Sequence, residues 1–211
     1  MVKLLFLRHG ESEYNRIKKY TGQLNVKLTD TGILQAKIAS EYILQNYKVD
    51  AVYSSDLSRA VDTVTPIASA LNLPIYTDKR LREFDLGEWT DLYFVDVVNR
   101  YKEEFENYKK GGSAVGGESV VDVQRRAYDC VLQIVKENVG KTVLIGTHGG
   151  VIRALLLKFL NYSSYDVKKL PIVSNNSITV VNYDNGNFIV EKVSYNGYLD
   201  SIKTVQDKNL L

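Results

Sequence analysis

The sequence predicts an α/β fold: a three-layer α/β/α sandwich around a mostly parallel sheet with an antiparallel edge strand. Three observations predict it. Short, nearly continuous apolar runs at residues 3–7, 49–53 and 142–145 read as strands buried on both faces. Helical stretches separate these runs, the alternation of a parallel sheet covered on two sides. Near the end the pattern changes to two strand-like segments, 177–183 and 188–193. Asp184-Asn185-Gly186-Asn187 lies between them, and Asn-Gly is a hairpin signal that implies the antiparallel edge.

The elements follow in order. The first strand ends at Arg8-His9-Gly10. Thr29-Asp30 then starts a helix on which Ile33, Ala36, Ile43 and Tyr47 recur on one face. After the second strand, Asp56 or Ser58 is placed to cap a helix running toward Leu71. Pro66 inside that helix is expected to kink or divide it. Residues 119–138 form a further helix, with Val123, Ala127, Cys130, Val131 and Ile134 at core spacing, and residues 151–160 a short, very apolar one. Between these, a helix over 94–108 precedes Gly111-Gly112-Ser113 and Gly116-Gly117. The segment 89–117 is read as a lid-like insertion over one end of the sheet, within a single domain 1–211. The tail beyond Leu199 is polar and expected to be mobile.

Composition excludes several classes of function. Hydrophobic residues make up 45% and charged residues 25% of the 211, too apolar for a chain that cannot build a core. The 27 Lys plus Arg and 25 Asp plus Glu leave a net charge of +2. Bulk charge therefore recruits neither nucleic acid nor a membrane surface, and any attraction for anions must be local. A lone cysteine, Cys130, allows no intrachain disulfide and suits a reducing compartment. Residues 1–8 are too briefly apolar for a secretory signal, and no apolar run nears the ~20 residues of a membrane span. A cytoplasmic location is expected. Two histidines and one cysteine leave little material for a metal site, so neither metal nor cofactor is expected.

Both histidines carry the chemistry. His9 sits in Leu7-Arg8-His9-Gly10-Glu11 and His148 in Gly146-Thr147-His148-Gly149-Gly150. Each directly follows a predicted parallel strand, and ligands of open α/β sheets bind outside the carboxyl ends of the strands. Glycine after each histidine lets the backbone approach a ligand closely. Arg8 adjoins His9, and Arg59 follows the second strand in Ser54-Ser55-Asp56-Leu57-Ser58-Arg59-Ala60. Two guanidiniums and two imidazoles at one sheet end make a pocket for a phosphate dianion.

Leu7-Arg8-His9-Gly10-Glu11-Ser12 resembles the signature of the histidine phosphatase superfamily, phosphoglycerate-mutase-like branch. The resemblance extends in the same order along nearly the whole chain. It takes in Asn15, Tyr20-Thr21-Gly22-Gln23, Leu28-Thr29-Asp30-Thr31-Gly32 and the Arg59 segment. It continues through Leu81-Arg82-Glu83-Phe84-Asp85-Leu86-Gly87-Glu88-Trp89, Gly116-Gly117-Glu118-Ser119 and Thr147-His148-Gly149-Gly150.

The resemblance implies a phosphomonoesterase of the histidine acid phosphatase type, acting on a small phosphorylated metabolite without metal. His9 is the implied nucleophile, and a backbone carbonyl near Gly10 is the expected acceptor that fixes its neutral tautomer. Arg8, Arg59 and His148 are expected to hold the phosphoryl oxygens, with Asn15 and Gly149 completing the phosphate site. Glu83 is implied as the acid that protonates the leaving oxygen and then the base that deprotonates water, with Asp85 and Glu88 as nearby competitors. Gln23, Tyr20 and Gly22 are candidates for contacting the rest of the substrate. Glu118-Ser119 is read as opening a helix. Thr90-Asp91 departs from the family's usual acidic residue and glycine after Trp89, so the loop is expected to take another path there.

Two other functions share these residues. A phosphoglycerate mutase would pass the phosphoryl group to a second hydroxyl. Residues 84–99 contain no Lys or Arg to hold a second phosphate, which favours hydrolysis, with Lys18 and Lys19 as the cations that could compensate from the other side of the mouth. A non-catalytic phospho-ligand module is expected to lack a core residue, yet Arg8, His9, Arg59, Glu83 and His148 are all present.

Overall fold

A computed structural model describes residues 1–200. Apart from Asp200, the tail expected to be mobile lies outside the described residues. Among the described residues six strands form one sheet: β1 (Val2–Arg8), β2 (Ala51–Ser54), β3 (Ile75–Thr77), β4 (Thr142–Thr147), β5 (Ile178–Asp184) and β6 (Asn187–Tyr195). Their spatial order is β3-β2-β4-β1-β5-β6. The first four run parallel, β5 pairs antiparallel to β1, and β6 antiparallel to β5. The β5–β6 turn puts Asn185 at φ 47° and Gly186 at φ 87°, the left-handed pair that a tight hairpin demands. The sequence pattern missed β3, whose three residues are too few and too exposed to show a period.

Seven α-helices among the described residues surround the sheet: α1 (Glu13–Ile17), α2 (Asp30–Asn46), α3 (Ser58–Leu71), α4 (Phe94–Arg100), α5 (Lys102–Tyr108), α6 (Val120–Glu137) and α7 (Gly149–Phe159). The apolar run of β1 is continuous because both its faces are covered. Leu4 and Phe6 pack with Val143, Ile145 and the apolar sides of α6 and α7. Leu5 and Leu7 face the other way, onto Ala39 and Ile43 of α2 and Val64 and Ile67 of α3. Each such fully buried side chain contributes about 1.5–3 kcal/mol. No helix among the described residues is long and apolar enough to cross a membrane.

Several local expectations are corrected. Ile33 is 45% exposed, because α2 turns Gln35, Ala36, Ala39, Ser40 and Ile43 inward instead. Neither Asp56 nor Ser58 caps α3. Its N-cap is Leu57, which lends no side-chain bond, and Asp56 pairs with Arg82 at 2.6 Å. Pro66 does not divide α3, which runs unbroken through it to Leu71. The expected helix over 94–108 is two helices, broken at Tyr101 (φ −121°, ψ 49°). Ser119 does open α6, in a capping box with Asp122.

The segment 89–117 is tied down by aromatic packing. Trp89 is fully buried, with its ring 5.2–6.0 Å from those of Tyr20, Tyr101, Phe105 and Tyr108. Thr90-Asp91 makes its turn without glycine: Asp91 takes φ 67°, a conformation that Asp tolerates better than most residues. Lys19 donates to the Asp91 carboxylate at 2.7 Å, and so does the Tyr14 hydroxyl.

Candidate active site

The carboxyl ends of β1, β2 and β4 open into one cavity. Its walls include Arg8, His9, Asn15, Arg59, Glu83 and Gly149. Tyr20, Gly22, Phe84, Leu86, Phe94 and Tyr108 form much of the rest. The strand ends bring these groups together because β1 and β4 are adjacent and in register, with Arg8 opposite Thr147. His9 and His148 follow those two residues directly, and their rings lie 5.2 Å apart, edge to face.

His9 is 4% exposed, and its Nδ1 lies 2.7 Å from the carbonyl of Gly10. A carbonyl only accepts, so Nδ1 carries the proton and Nε2 keeps its lone pair. The backbone around it is fixed. His9 N–H donates to Thr147 O, and His9 O accepts from Asn176 N–H and the Asn175 side chain. Gly10 permits the close approach of α2, since a Cβ there would come within 2.6 Å of the Gly32 carbonyl. Burial, then Arg59 and Arg8, hold the His9 imidazole well below its ordinary pKa. Burial chiefly does the same to His148. Both rings are therefore neutral at neutral pH.

Arg59 is 1% exposed, with Nη1 on Leu24 O at 2.7 Å and Nη2 on Gly22 O at 2.9 Å. Burial pushes its pKa down to about 10, and it remains a cation. Arg8 donates Nη1 to Val173 O, and its buried Nε has no partner. Asn15 Oδ1 accepts from Ser12 N–H, Ser12 Oγ and Asn175 Nδ2 at 3.0–3.1 Å, which leaves its own NH₂ as the cavity-side donor. His148 sits behind the cavity wall, fully buried. Its Nε2 is 2.9 Å from Ser55 Oγ and its Nδ1 is unpartnered.

Glu83 is held by backbone. Oε1 accepts from Phe84 N–H at 3.0 Å and Oε2 from Gly150 N–H at 3.2 Å. A side chain at residue 150 would collide with Glu83 Oε1 and the Phe84 ring, so glycine is required for this approach. Asp85 and Glu88 are engaged elsewhere: Asp85 caps Gly87 N–H, and Glu88 accepts from the Tyr101 hydroxyl.

Two expected contacts, Gln23 and His148, are not on the cavity wall, whereas Gly22 is. The Gln23 amide donates to Glu83 O at 3.2 Å instead. The Gly22 carbonyl also serves Arg59. Sequence reasoning missed three residues. Arg126 donates to the carbonyls of Arg80, Arg82 and Glu83 and bidentately to Glu118, whose Oε2 also accepts from Asp85 N–H. This pair clamps the Glu83 loop. Asn175 fixes His9, Gly10 and Asn15 together. Arg153 also lines the cavity. Its signal was in the sequence: a charge inside Val151-Ile152-Arg153-Ala154-Leu155 has no polar face to occupy. No cluster of three or more His, Cys, Asp or Glu side chains arranged to hold a metal occurs among the described residues.

Comparison with known proteins identifies the family and the fold. The model of the histidine phosphatase superfamily, branch 1, matches residues 4–196. A metal-independent phosphoserine phosphatase of Arabidopsis thaliana is 30% identical over 211 residues, spanning 98% of this chain and 87% of that protein. The mycobacterial glucosyl-3-phosphoglycerate phosphatase solved with VO₃ superposes with a TM-score of 0.87 at 28% identity, covering 92% of this chain and 99% of that one. A mutant phosphoserine phosphatase from Entamoeba histolytica, in complex with phosphoserine, gives a TM-score of 0.84 at 26% identity, covering 94% and 100%.

Proposed function

The chain belongs to branch 1 of the histidine phosphatase superfamily, and from that membership we propose that it hydrolyses a small phosphate monoester, without metal, through a phosphohistidine at His9. The observation that carries the reading is the Nδ1 contact of His9 with Gly10 O at 2.7 Å, which leaves Nε2 as a neutral nucleophile between two cations. The phosphatase names of the three relatives support the reaction class.

The reaction divides into two displacements. His9 Nε2 attacks phosphorus as the P–O bond to the leaving alcohol breaks, and Glu83 gives that oxygen its proton. Water then attacks phosphorus as the P–N bond breaks, and Glu83 takes a proton from the water. Inorganic phosphate leaves and His9 is regenerated. Arg8, Arg59 and the Asn15 amide hold the phosphoryl oxygens, and the backbone of Gly149 shapes the wall beside Arg8. We assign the Ser55–His148 contact to Ser55 Oγ–H donating to Nε2, so Nδ1 carries the proton and the ring acts on the developing charge from behind the cavity wall. Tyr20 and Gly22 flank the leaving group under the 89–117 lid. These roles amount to a histidine acid phosphatase type of phosphomonoesterase.

Mutase chemistry draws on Lys19, which the sequence already offers as a compensating cation, and on Arg153, both of which line the cavity. Lys19 is already committed to Asp91, which weakens it as a holder of a second phosphate. A panel of phosphate monoesters in the presence of chelator tests the reading. Undiminished phosphate release from at least one small ester is expected. Activity abolished by chelator and restored by a divalent cation would contradict it.

A further inference from the structure

His9 is held from outside its own strand. The chain returns to it at Asn175, Asn176 and Ser177, just before β5. Ser177 O accepts from Arg8 N–H and His9 O accepts from Asn176 N–H, both at 3.1 Å, so the contacts of β1 with the β5 segment run on past Leu7. Asn176 takes φ 52° to do this, a left-handed conformation that Asn adopts more readily than most residues. Contacts on each side hold it there. Its buried amide donates to Gln35 O, and the Tyr198 hydroxyl donates to its carbonyl. Ser177 Oγ closes the turn onto Ser174 O at 2.7 Å. Tyr198 in turn stacks on Tyr42 of α2, with ring centres 4.6 Å apart.

Asn175 completes the hold. Its Nδ2 lies 3.1–3.2 Å from His9 O, Gly10 O and Asn15 Oδ1. Two of these are carbonyls, and Asn15 Oδ1 already takes Ser12 N–H, so all three are acceptors. The amide therefore turns its nitrogen toward His9 and shares two protons among three oxygens. Asn15 keeps Ser12 as a partner without Asn175, and His9 O keeps Asn176. The Gly10 carbonyl is different. Its other hydrogen-bond partner among the described residues is the His9 ring itself. The far end of the same peptide, Glu11 N–H, is fixed by Gln35 Oε1 at 2.9 Å. Asn175 is thus the group that fixes the oxygen end of the peptide on which the His9 tautomer depends.

We propose that Asn175 is a positioning residue for the nucleophile: it aims the Gly10 carbonyl at His9 Nδ1 and so keeps Nε2 unprotonated, while Tyr198 braces it through Asn176 from the C-terminal turn Gly197–Leu199. The proposal rests on the phosphatase reading for the reaction it serves, but not for the tautomer it sets. Without the second donor the carbonyl turns more freely, Nδ1 loses a fixed acceptor, and the ring proton distributes over both nitrogens. A ring protonated on Nε2 has no lone pair to offer phosphorus.

The test applies three substitutions to the full chain and reads both the ring and the rate. With two histidines in the sequence, nitrogen NMR of the imidazoles is simple to assign. In the parent, His9 should show one protonated and one unprotonated nitrogen. In Asn175→Leu, which fills similar space without donors, the two signals should move toward each other as tautomers mix. On p-nitrophenyl phosphate, whose leaving group needs little protonation, kcat should fall by about 10–100-fold while affinity for inorganic phosphate changes by less than about 3-fold. Asn175→Ser returns one donor and should recover part of both the rate and the spectrum. Tyr198→Phe should lower kcat several-fold, with a smaller spectral change in the same direction. Should Asn175→Leu not fold, the other two variants decide by the same readouts. An unaltered kcat, a loss of rate with an unchanged His9 tautomer, or phosphate affinity falling in step with kcat would overturn the proposal. If the parent hydrolyses no ester, the phosphatase reading fails and the nitrogen spectra alone decide this one.

Discussion

The two ends of the cavity are built differently. At the phosphate end, His9, Arg8 and Arg59 project from strand ends or the first turn of a helix, and each is fixed by backbone carbonyls. At the other end, Tyr20, Phe94, Tyr108 and Trp89 pack ring against ring, and an ion pair joins Lys19 to Asp91 of the 89–117 segment. Backbone partners come from the fold itself and leave little freedom in the position of a nucleophile. Side-chain packing permits substitution without moving the sheet, so the proposed function places the chemistry in the first region and substrate choice in the second.

Substitutions at the phosphate end should therefore affect all substrates alike, and those at the other end should depend on the leaving group. The largest effect is expected for His9→Ala, which should lower kcat by at least about 10³-fold on every ester. Steady-state rates on alkyl and aryl phosphates check it, and a loss restricted to one class would break the distinction. Glu83 lies at the boundary. Glu83→Gln should slow alkyl esters by about 10²–10⁴-fold, while activated aryl phosphates, which need little protonation, lose far less. Equal losses would shift the acid role to Asp85 or Glu88.

Arg126 sharpens the comparison because it reaches the site through the loop that carries Glu83. Arg126→Lys removes the planar fork that gathers three carbonyls and Glu118. A loss of about 10-fold on alkyl esters is expected, with aryl esters spared and a displaced acid limb in the pH–rate profile. A purely structural role would lower both classes together.

The smallest effect is on stability. Burial lowers the pKa of both imidazoles in the folded chain, so the unfolded chain binds protons that the folded one refuses. Their contribution is complete above about pH 6.5 and declines as the pH falls toward the folded values, by about 1.4 kcal/mol per histidine per pH unit. Denaturant unfolding of the protein and of a His148→Asn variant between pH 7 and 5 measures it, and the variant should show the shallower decline. Imidazole resonances that titrate near pH 6.5 in the folded chain would contradict it.

The phosphate end was also the more legible in the sequence. Each of its residues lies within two positions of a strand end or on the first turn of a helix, so local pattern and topology are enough to bring them together. The parallel sheet, its antiparallel edge and the covering helices were legible for the same reason, since their apolar periods are local. What escaped depends on distant partners. Arg126 reads as a polar position on an amphipathic helix until the Glu83 loop is placed against it. Asn175 is an ordinary loop residue until β5 returns beside β1. The break at Tyr101 follows from aromatic packing around Trp89 rather than from a helix-breaking residue, and β3 exists only because β2 offers it an edge.

Rapid quench with substrate labelled in the phosphoryl group tests the central claim most directly. The account predicts acid-labile label on His9, formed at least as fast as turnover and chased entirely into inorganic phosphate. Turnover with no label on His9, or label that passes to a second metabolite hydroxyl with negligible free phosphate, would contradict it.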